Sequence, residues 1–414
     1  MRPAPPTVND RRILYIAPGP PYPLTNGQAL RHFHFLRAYS EIGRVRLAFL
    51  YRSEAQREVV RALAPYCESV HPIPAPLASR FAHAGLWRRR LDTMTSLTPN
   101  IAAACANPEM ASLVSKLAPA ADLIHVAKLW MAPNVGSTLG RGHSRPVVLD
   151  LDDVETVVKW RALRTYPPAR WRRRVFESYD LLRLWRYQHQ AIKRFDRVFV
   201  CSGQDRDWLG QPNVEVIPNG AVIPRQPLPD GSDGRTLLCV TSMHWQPNVD
   251  GVLFFARDVL PLIQREVPDV RLLVVGSGAP PDVQRLHDGR RIFVFSDVPA
   301  LEPYYRQATA AVVSLRVGGG TRLRMLEAFA LGRPVVSTSV GCEGIDVVNG
   351  QHLLVADGPK TFAAACVAIL RDPQLGARLA GRARRLVEDK YSWQSIEEQI
   401  RMISLHLLRG PRAA

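Results

Sequence analysis

The chain has 414 residues, 46% of them hydrophobic, and its 54 Lys and Arg against 37 Asp and Glu give a net charge of +17. This length predicts two domains of ordinary size, and the apolar content excludes a disordered or low-complexity chain. No apolar run approaches the roughly 18 residues of a membrane-spanning helix, and six scattered cysteines without a Cys-x-x-Cys pair favour neither a disulfide framework nor a zinc site.

The positive charge is concentrated in one segment. Between Lys159 and Arg197 there are twelve Arg or Lys residues and three acids. Such a segment attracts an anionic partner, which is nucleic acid, an acidic membrane surface or a phosphorylated substrate. Composition leaves all three open.

The first half of the chain alternates short buried strands with helical stretches, as a parallel sheet with helices on both faces does. Residues 214–235 contain four prolines and three glycines and predict an interdomain linker. The predicted strands are 13–17, 45–51, 123–126, 147–153 and 197–202, and the predicted helices are 29–40 and 54–64.

The same alternation resumes after the linker. Strands are predicted at 237–242, 271–276, 292–298, 310–315 and 334–339, with helices at 248–266, 301–308, 321–332, 360–388 and 393–408. The fold class is therefore α/β, with two doubly wound, Rossmann-like parallel-sheet domains facing across a cleft. We expect an N-terminal acceptor-side domain over 1–225, a donor domain over 226–390, and a helix over 391–414 that packs back toward the first domain. Ligands of open parallel sheets bind at the carboxyl ends of the strands, so two such domains predict a two-substrate enzyme.

A glycine-rich turn between a predicted strand and a predicted helix is the strongest motif. Backbone N–H groups at a helix start, the positive end of the helix dipole and nearby guanidinium groups together favour a bound phosphate. Thr321 is a suitable N-cap for the helix. The turn and its basic residues are Gly318, Gly319, Gly320, Thr321, Arg322 and Arg324.

Glu327 follows Arg324 at a spacing of one helical turn. A carboxylate there can accept two hydrogen bonds from a ribose diol, which would join a nucleoside to the phosphate site. The alternative is an ordinary glycine turn followed by an Arg324–Glu327 surface pair.

With these motifs the chain resembles the family 4 glycosyltransferases of GT-B fold, in particular sugar transferases of bacterial exopolysaccharide systems. The resemblance covers nearly the whole chain in the expected order. The segments that carry it are PGPPYP (18–23), GQALRHFHFLRAYSEIG (27–43), DLIHV (122–126), VIPNG (216–220), SMHWQPNVDG (242–251), LEAFALGRPVVST (326–338), GCEG (341–344) and YSWQSIEEQI (391–400).

The resemblance implies a retaining, metal-independent transfer of a sugar from a nucleotide diphosphate sugar, with no bound cofactor. The implied acceptor is a glycan or a polyprenyl-diphosphate-linked sugar in cell-surface polysaccharide synthesis. Residues 1–12 lack the apolar segment of a signal peptide, so we expect a cytoplasmic protein, peripheral on the inner face of the cell membrane.

The resemblance also implies roles in donor binding, with two departures. Glu327 matches the ribose-binding glutamate, but the family's first glutamate, a donor-sugar contact, falls at Gly319, so backbone N–H groups of 318–320 are expected to replace it. The Arg and Lys that many relatives carry after the first strand of the second domain are absent, which assigns the diphosphate to Arg322 and Arg324.

Three further positions match family sites. Backbone groups at Val298, next to Asp297, are implied to read the base, and Gly27 is implied to let its loop approach the donor phosphates. His125 is implied to contact the donor sugar, although a histidine within an apolar strand is as well explained as a core residue. Arg31 could support a phosphate, but a solvated side chain is the simpler interpretation.

The acidic run 150–155 is the remaining candidate for chemistry. Asp150, Asp152 and Asp153 lie at the end of a predicted strand and could bind a cation, supply a base or cap the next helix. We take Asp153 as a candidate acceptor contact and expect no metal. Lys128 lies beyond another strand and is expected to face the cleft or the solvent.

Two segments, 85–91 and 170–188, interleave Trp and Tyr with Arg, which fits an anionic membrane surface or simply solvated helix faces. Two other functions stay open: a nucleotide-sugar epimerase of the same fold, and a non-catalytic protein that binds membrane or nucleic acid. No specific nucleic-acid-binding motif is present in the sequence.

Overall fold

The computed structural model describes residues 10–24, 26–76, 99–139, 145–167 and 171–409. Two compact units make up the chain. The first contains Met1–Leu163, Pro167–Ile217 and Glu397–Ala414, and the second contains Arg164–Tyr166 and Pro218–Ile396. The basic segment 85–91 lies outside the described residues.

In the described part of the first unit, seven parallel strands form one sheet in the order β3-β2-β1-β4-β5-β6-β7. The strands are β1 (Arg12–Ala17), β2 (Arg44–Tyr51), β3 (Ser69–Pro74), β4 (Leu123–Ala127), β5 (Val147–Leu151), β6 (Arg197–Val200) and β7 (Val214–Val216). The order reverses between β1 and β4, which are direct neighbours. Their carboxyl ends therefore mark the point of the sheet where open α/β folds bind ligands.

Helices connect these strands. They are α1 (Gly27–Ser40), α2 (Glu54–Glu58), α3 (Val60–Leu63), α4 (Asn100–Cys105), α5 (Pro108–Leu117), α6 (Glu155–Thr165), α7 (Trp171–Ile192) and α8 (Gly203–Leu209), with a 3-10 segment at Leu129–Thr138.

In the second unit, six parallel strands form a sheet in the order β10-β9-β8-β11-β12-β13 within the described residues. The strands are β8 (Thr236–Ser242), β9 (Arg271–Ser277), β10 (Ile292–Ser296), β11 (Ala310–Val313), β12 (Val335–Ser337) and β13 (Leu354–Val355). The helices are α9 (Gln246–Phe254), α10 (Leu260–Glu266), α11 (Pro281–Gln284), α12 (Glu302–Gln307), α13 (Leu323–Ala330), α14 (Pro359–Arg371), α15 (Pro373–Lys390) and α16 (Trp393–Arg409), the last of which continues into the first unit.

Prolines explain most differences from the predicted elements. The helix predicted over 360–388 is two helices, because Pro373 starts a new one after Asp372. The helix predicted over 248–266 has a π-helical turn at Phe255–Val259 just before Pro261, which has no backbone N–H to give. The linker predicted over 214–235 is wrong for its first three residues, because Val214–Val216 pairs with β6 as the edge strand of its sheet.

The central strands are buried along their whole length. Every residue of β4 and β5 is buried, as expected for strands covered by helices on both faces. Polar side chains in these strands, His125 and Asp150, are therefore enclosed in the core of the first unit. Among the described residues no helix is both long and apolar enough to cross a bilayer.

Candidate functional site

The order of the second sheet reverses between β8 and β11, and the glycine-rich turn follows directly after β11. Gly318, Gly319 and Gly320 are buried, and Gly320 has a φ of +66°, a left-handed conformation that favours glycine. The turn lies where the sheet topology places a ligand site, which agrees with the predicted phosphate loop.

Arg322 folds back onto this turn. Its Nη1 donates to the carbonyl oxygen of Gly319, and its Nη2 lies 3.4 Å from the carbonyl oxygen of Val340. A Cβ on Gly318 would lie 2.2 Å from that Nη2. The absence of a side chain at Gly318 thus makes room for the guanidinium, which fastens the turn; its predicted contact with a diphosphate stays a prediction.

The helix after the turn starts later than its sequence suggests. It begins at Leu323, and the N-cap position belongs to Arg322, which makes no side-chain capping bond. The expectation that Thr321 caps this helix is therefore wrong, and Thr321 lies buried in the turn itself. The backbone N–H groups of the first helical turn follow directly after the glycines.

Glu327 is held by one of its two carboxylate oxygens. Its Oε2 accepts a hydrogen bond from Arg324 Nη1 at 2.8 Å and lies 3.4 Å from the hydroxyl oxygen of Tyr305. Among the described residues no donor is bonded to Oε1, and the side chain is 32% exposed. The alternative Arg324–Glu327 pair is thus present, and it orients the carboxylate while leaving an oxygen that can accept further hydrogen bonds.

His244, which the sequence analysis did not single out, lies at the carboxyl end of β8. A Cβ on Gly278, after β9, would lie 2.2 Å from His244 Cε1, and Gly278 has a φ of +69°. The imidazole therefore rests on a glycine at the end of the neighbouring strand while staying exposed. The Gly-Ser-Gly sequence at the end of β9, the strand next to β8, was the available signal.

Asp297 follows the edge strand β10 with a φ of +58°, an unusual conformation for a residue other than glycine. Its N–H donates to the carbonyl oxygen of Gly276 at 2.6 Å, and its carboxylate accepts from Ser296 Oγ at 2.7 Å. Val298 is partly buried against the core beneath it. These bonds fix the backbone where the sequence predicted a base-binding segment.

In the first unit, Arg31 forms an ion pair with Asp150 from which solvent is excluded. Its Nε donates to Asp150 Oδ2 at 2.8 Å, its Nη2 to Oδ1 at 2.6 Å, and its Nη1 to the carbonyl oxygen of Ile217 at 2.9 Å. Both side chains are 0% exposed. The expectation of a solvated Arg31 is wrong, and the pair fastens α1 to the end of β5.

Lys128 is also enclosed. It lies just after β4 with a φ of +73°, its Nζ pairs with Asp152, and the same Nζ lies 3.9 Å from Asp153 Oδ2. Burial opposes the ammonium charge, but these carboxylates outweigh it and raise the pKa of Lys128. Of the two alternatives for Lys128, the solvated side chain is wrong. Asp153, 35% exposed, is the more accessible of the two carboxylates.

Glu155 starts α6 beside this cluster. Burial raises its pKa to about 8, against the opposing attraction of the Lys128 ammonium. His32 is 1% exposed, and burial lowers its pKa to about 4. A neutral histidine and a carboxyl group with a raised pKa thus belong to the surroundings of Lys128.

His125 lies in the aromatic core. Its ring stacks on Tyr15 with centroids 4.3 Å apart, and its Nδ1 is 2.9 Å from the hydroxyl oxygen of Tyr39. The side chain is 0% exposed, and burial lowers its pKa well below the usual range. Its Nε2 has no hydrogen-bond partner among the described residues. The surroundings are those of a core histidine, and the predicted contact with a donor sugar stays a prediction.

Gly27 is the first residue of α1, so the helix begins two residues earlier than predicted. Asn26 caps it, with Oδ1 accepting from the N–H of Ala29 at 2.9 Å. This cap uses the N–H of Ala29, and the other N–H groups of the first turn also lie at the helix start. Gly27 thus lies at a helix N-terminus that follows β1 at the switch point of its sheet.

The acidic run 150–155 is not arranged as a cation site. Asp150 forms an ion pair with Arg31, and Asp152 forms one with Lys128. A positively charged side chain therefore already neutralises each of these two carboxylates. Within the described ranges, no three His, Cys, Asp or Glu side chains converge as metal ligands would.

Comparison with known proteins agrees with this architecture. Residues 234–372 match the family described as Glycosyl transferases group 1. The chain carries a glycosyl transferase group 1 domain. The predicted resemblance to glycosyltransferases is confirmed by this match, which contains the glycine-rich turn and Glu327.

Curated relatives match this chain over part of their length. A glycogen synthase of Mycobacterium tuberculosis is 26% identical over 240 residues, 53% of this chain and 56% of the relative. A phosphatidyl-myo-inositol mannosyltransferase of Mycolicibacterium smegmatis is 28% identical over 225 residues, 52% of this chain and 57% of the relative. The chain thus spans about half the length of the curated relatives it matches.

Solved structures confirm the fold of the chain. A sucrose-phosphate synthase from Thermosynechococcus elongatus has a TM-score of 0.71 at 16% identity, covering 96% of this chain and 99% of its own. Anabaena HepE, solved in complex with UDP and glucose, has a TM-score of 0.65 at 16% identity, covering 95% and 99%. The predicted fold class, two Rossmann-like parallel-sheet domains of the GT-B type, is confirmed.

Proposed function

We propose that this chain is a glycosyltransferase that moves a sugar from a nucleotide diphosphate sugar to an acceptor. The observation that carries the proposal is the carboxylate of Glu327, one helical turn beyond the glycine-rich turn, with Oε2 held by Arg324 and Tyr305 and no donor bonded to Oε1 among the described residues. A fixed carboxylate of this kind suits a ribose diol, which needs two acceptor sites. The group 1 domain and the transferases among its relatives support the reaction class.

The donor diphosphate is proposed to lie against the glycine-rich turn. Buried glycines let a ligand approach the backbone closely, and the first N–H groups of α13 add the positive end of a helix dipole. Arg324 supplies charge, and Arg322 shapes the turn and adds its charge beside it. Backbone N–H groups of 318–320 take the place of the glutamate that Gly319 replaces.

The remaining donor contacts rest on the family resemblance described in the sequence analysis. From this resemblance, the backbone at Val298 is proposed to read the base, the start of α1 at Gly27 to approach the phosphates, and His125 to contact the donor sugar. The complex of Anabaena HepE with UDP and glucose supports a nucleotide diphosphate as the donor group.

The acceptor is proposed to be a glycan or a polyprenyl-diphosphate-linked sugar of cell-surface polysaccharide synthesis, with Asp153 as a contact. The lipid acceptor in the name of the mannosyltransferase relative supports a lipid-borne substrate. The family resemblance supports the rest of the proposal: the transfer retains the anomeric configuration, needs no metal and takes place in the cytoplasm at the inner face of the membrane.

Thermal denaturation with saturating nucleoside diphosphates tests the donor site. Binding to the folded state alone at about 100 times Kd adds roughly 2.7 kcal/mol to its stability, so the melting temperature rises. Glu327→Ala is expected to reduce this rise, while Glu302→Ala, an exposed glutamate at the start of α12, leaves it unchanged. If no nucleoside diphosphate moves the melting curve of the wild type, the donor site is wrong.

A panel of nucleotide sugars, incubated with the protein alone, tests the chemistry. Slow release of free sugar, unaffected by a chelator and with the anomeric configuration retained by NMR, is expected. An isomerised nucleotide sugar would instead identify an epimerase. Salt-sensitive binding of nucleic acid without any turnover would identify a non-catalytic protein.

A further inference from the structure

Helix α7 has large apolar side chains on its outward face. Trp171 is 70% exposed, Val175 60%, Leu182 54% and Trp185 51%. At 100° per residue these four positions fall within an arc of roughly 80°. Two of the buried residues of the helix, Leu184 and Ala191, lie on the opposite side. The helix is therefore apolar on two faces, one that packs on its own unit and one that does not.

The charges of α7 are sorted between these faces. Its acids, Glu177 and Asp180, are both paired with Lys159 of α6, at 3.3 Å for Glu177. Four arginines of the same helix are exposed, and three of them, Arg172, Arg174 and Arg186, lie toward the outward face. The fourth, Arg173, lies on the far side, with its Nε 3.9 Å from Glu177 Oε1. These three arginines flank the apolar arc, because they lie roughly 60 to 100° from its centre on the helical wheel.

We propose that the outward face of α7 is the surface by which this protein binds an anionic lipid bilayer. An interfacial helix has an apolar side that enters the acyl boundary and basic residues that meet lipid phosphates, with Trp at the interface. The sequence left two alternatives open for the segment 170–188, an anionic membrane surface and solvated helix faces. The structure adds that both acids pair with Lys159, while the four apolar residues and three of the arginines turn outward.

The same face fits a second copy of the chain less well. In a two-fold dimer the same surface meets itself, so the three arginines that flank the apolar arc would lie near their own counterparts. The acids that could compensate this charge are engaged with Lys159 behind the helix. Charge complementarity therefore favours a phosphate-bearing surface.

Co-sedimentation with vesicles tests the proposal. The full-length protein is mixed with vesicles of phosphatidylcholine alone or with roughly one third phosphatidylglycerol, a charge density that attracts basic segments. The wild type is expected to bind the anionic vesicles, less so at high salt. Leu182→Glu should weaken binding roughly tenfold or more. It removes an apolar side chain that would enter the bilayer, and it adds a negative charge that anionic lipids repel.

The matched control is Met402→Glu, which introduces the same charge at a 60% exposed apolar residue of α16. The triple variant Arg172→Gln, Arg174→Gln, Arg186→Gln should weaken binding by about a hundredfold, or about fivefold per arginine. All these side chains are exposed, so the melting temperatures should match the wild type.

Three results would overturn the proposal: no preference of the wild type for anionic vesicles, equal binding by Leu182→Glu and Met402→Glu, or a dimer in light scattering that Leu182→Glu dissociates without any vesicle binding. The proposal rests on the proposed function only in placing the acceptor at a membrane. Its test uses no nucleotide or sugar, so the two can fail separately.

Discussion

Removing the guanidinium of Arg31 should be among the most damaging single changes in the first unit. Arg31→Met leaves the carboxylate of Asp150 enclosed and unpaired, because both side chains are 0% exposed in the wild type. It also removes the donor to the Ile217 carbonyl, which joins α1 to the residue after β7.

The expected loss in the free energy of unfolding is about 3 to 5 kcal/mol, the usual cost of breaking a buried ion pair from one side. The double variant Arg31→Met, Asp150→Leu removes both charges. It should recover most of that loss, since an apolar pair of similar volume is often as stable as a buried ion pair. The control is Arg57→Ala, whose partner Glu54 is exposed, and which should cost less than about 1 kcal/mol.

Denaturant unfolding followed by tryptophan fluorescence measures these values, because six of the eight tryptophans belong to the first unit. A loss below about 1 kcal/mol for Arg31→Met, in the range of surface pairs, would refute the assignment of a buried charge pair. A double variant that is less stable than Arg31→Met would also refute this assignment.

Three further predictions concern the candidate sites. Gly318→Ala places a methyl group 2.2 Å from Arg322 Nη2 and should weaken nucleoside diphosphate binding roughly tenfold or more in isothermal titration, whereas Gly381→Ala, with open space around its Cα, should not. Tyr305→Phe removes the hydroxyl 3.4 Å from Glu327 Oε2 and should weaken the same binding roughly threefold, with Tyr304→Phe as the control; an unchanged Kd in Tyr305→Phe would mean that Tyr305 does not position the carboxylate. Burial raises the pKa of Glu155 to about 8 in the folded chain, so the folded state holds this proton longer than the unfolded one and loses stability as the pH rises toward 8. Glu155→Gln should remove that loss. If the melting temperatures of the two proteins change with pH in the same way from about pH 5 to about pH 9, the prediction is wrong.

The periodic features of the sequence predicted the fold well. Buried strands such as β4 and β5 are continuous apolar runs, and their alternation with helices was sufficient to give two parallel sheets. Boundaries were less accurate where a proline or a tertiary contact decided them. Val214–Val216 forms a strand because β6 offers an open edge, which no local pattern of that proline-rich segment indicates.

Side-chain partners were the least predictable part of the sites. Arg31 and Asp150 are 119 positions apart, and only the pairing of α1 with the end of β5 brings them together. A solvated Lys128 was one of two alternatives, because no local sequence pattern indicates that its ammonium group pairs with Asp152. In contrast, the Arg324–Glu327 pair lies within one helical turn, and the spacing alone predicted it.

The central claim is that the Glu327 carboxylate accepts hydrogen bonds from the ribose of a nucleotide. Titration of the wild type and Glu327→Ala with a nucleoside diphosphate and its 2′,3′-dideoxy analogue tests this directly. Hydrogen bonds to a charged group contribute about 1.5 to 3 kcal/mol, so the wild type should bind the dideoxy analogue at least tenfold more weakly. Glu327→Ala should bind the two compounds equally. The same preference for the ribose diol in both proteins would contradict the account.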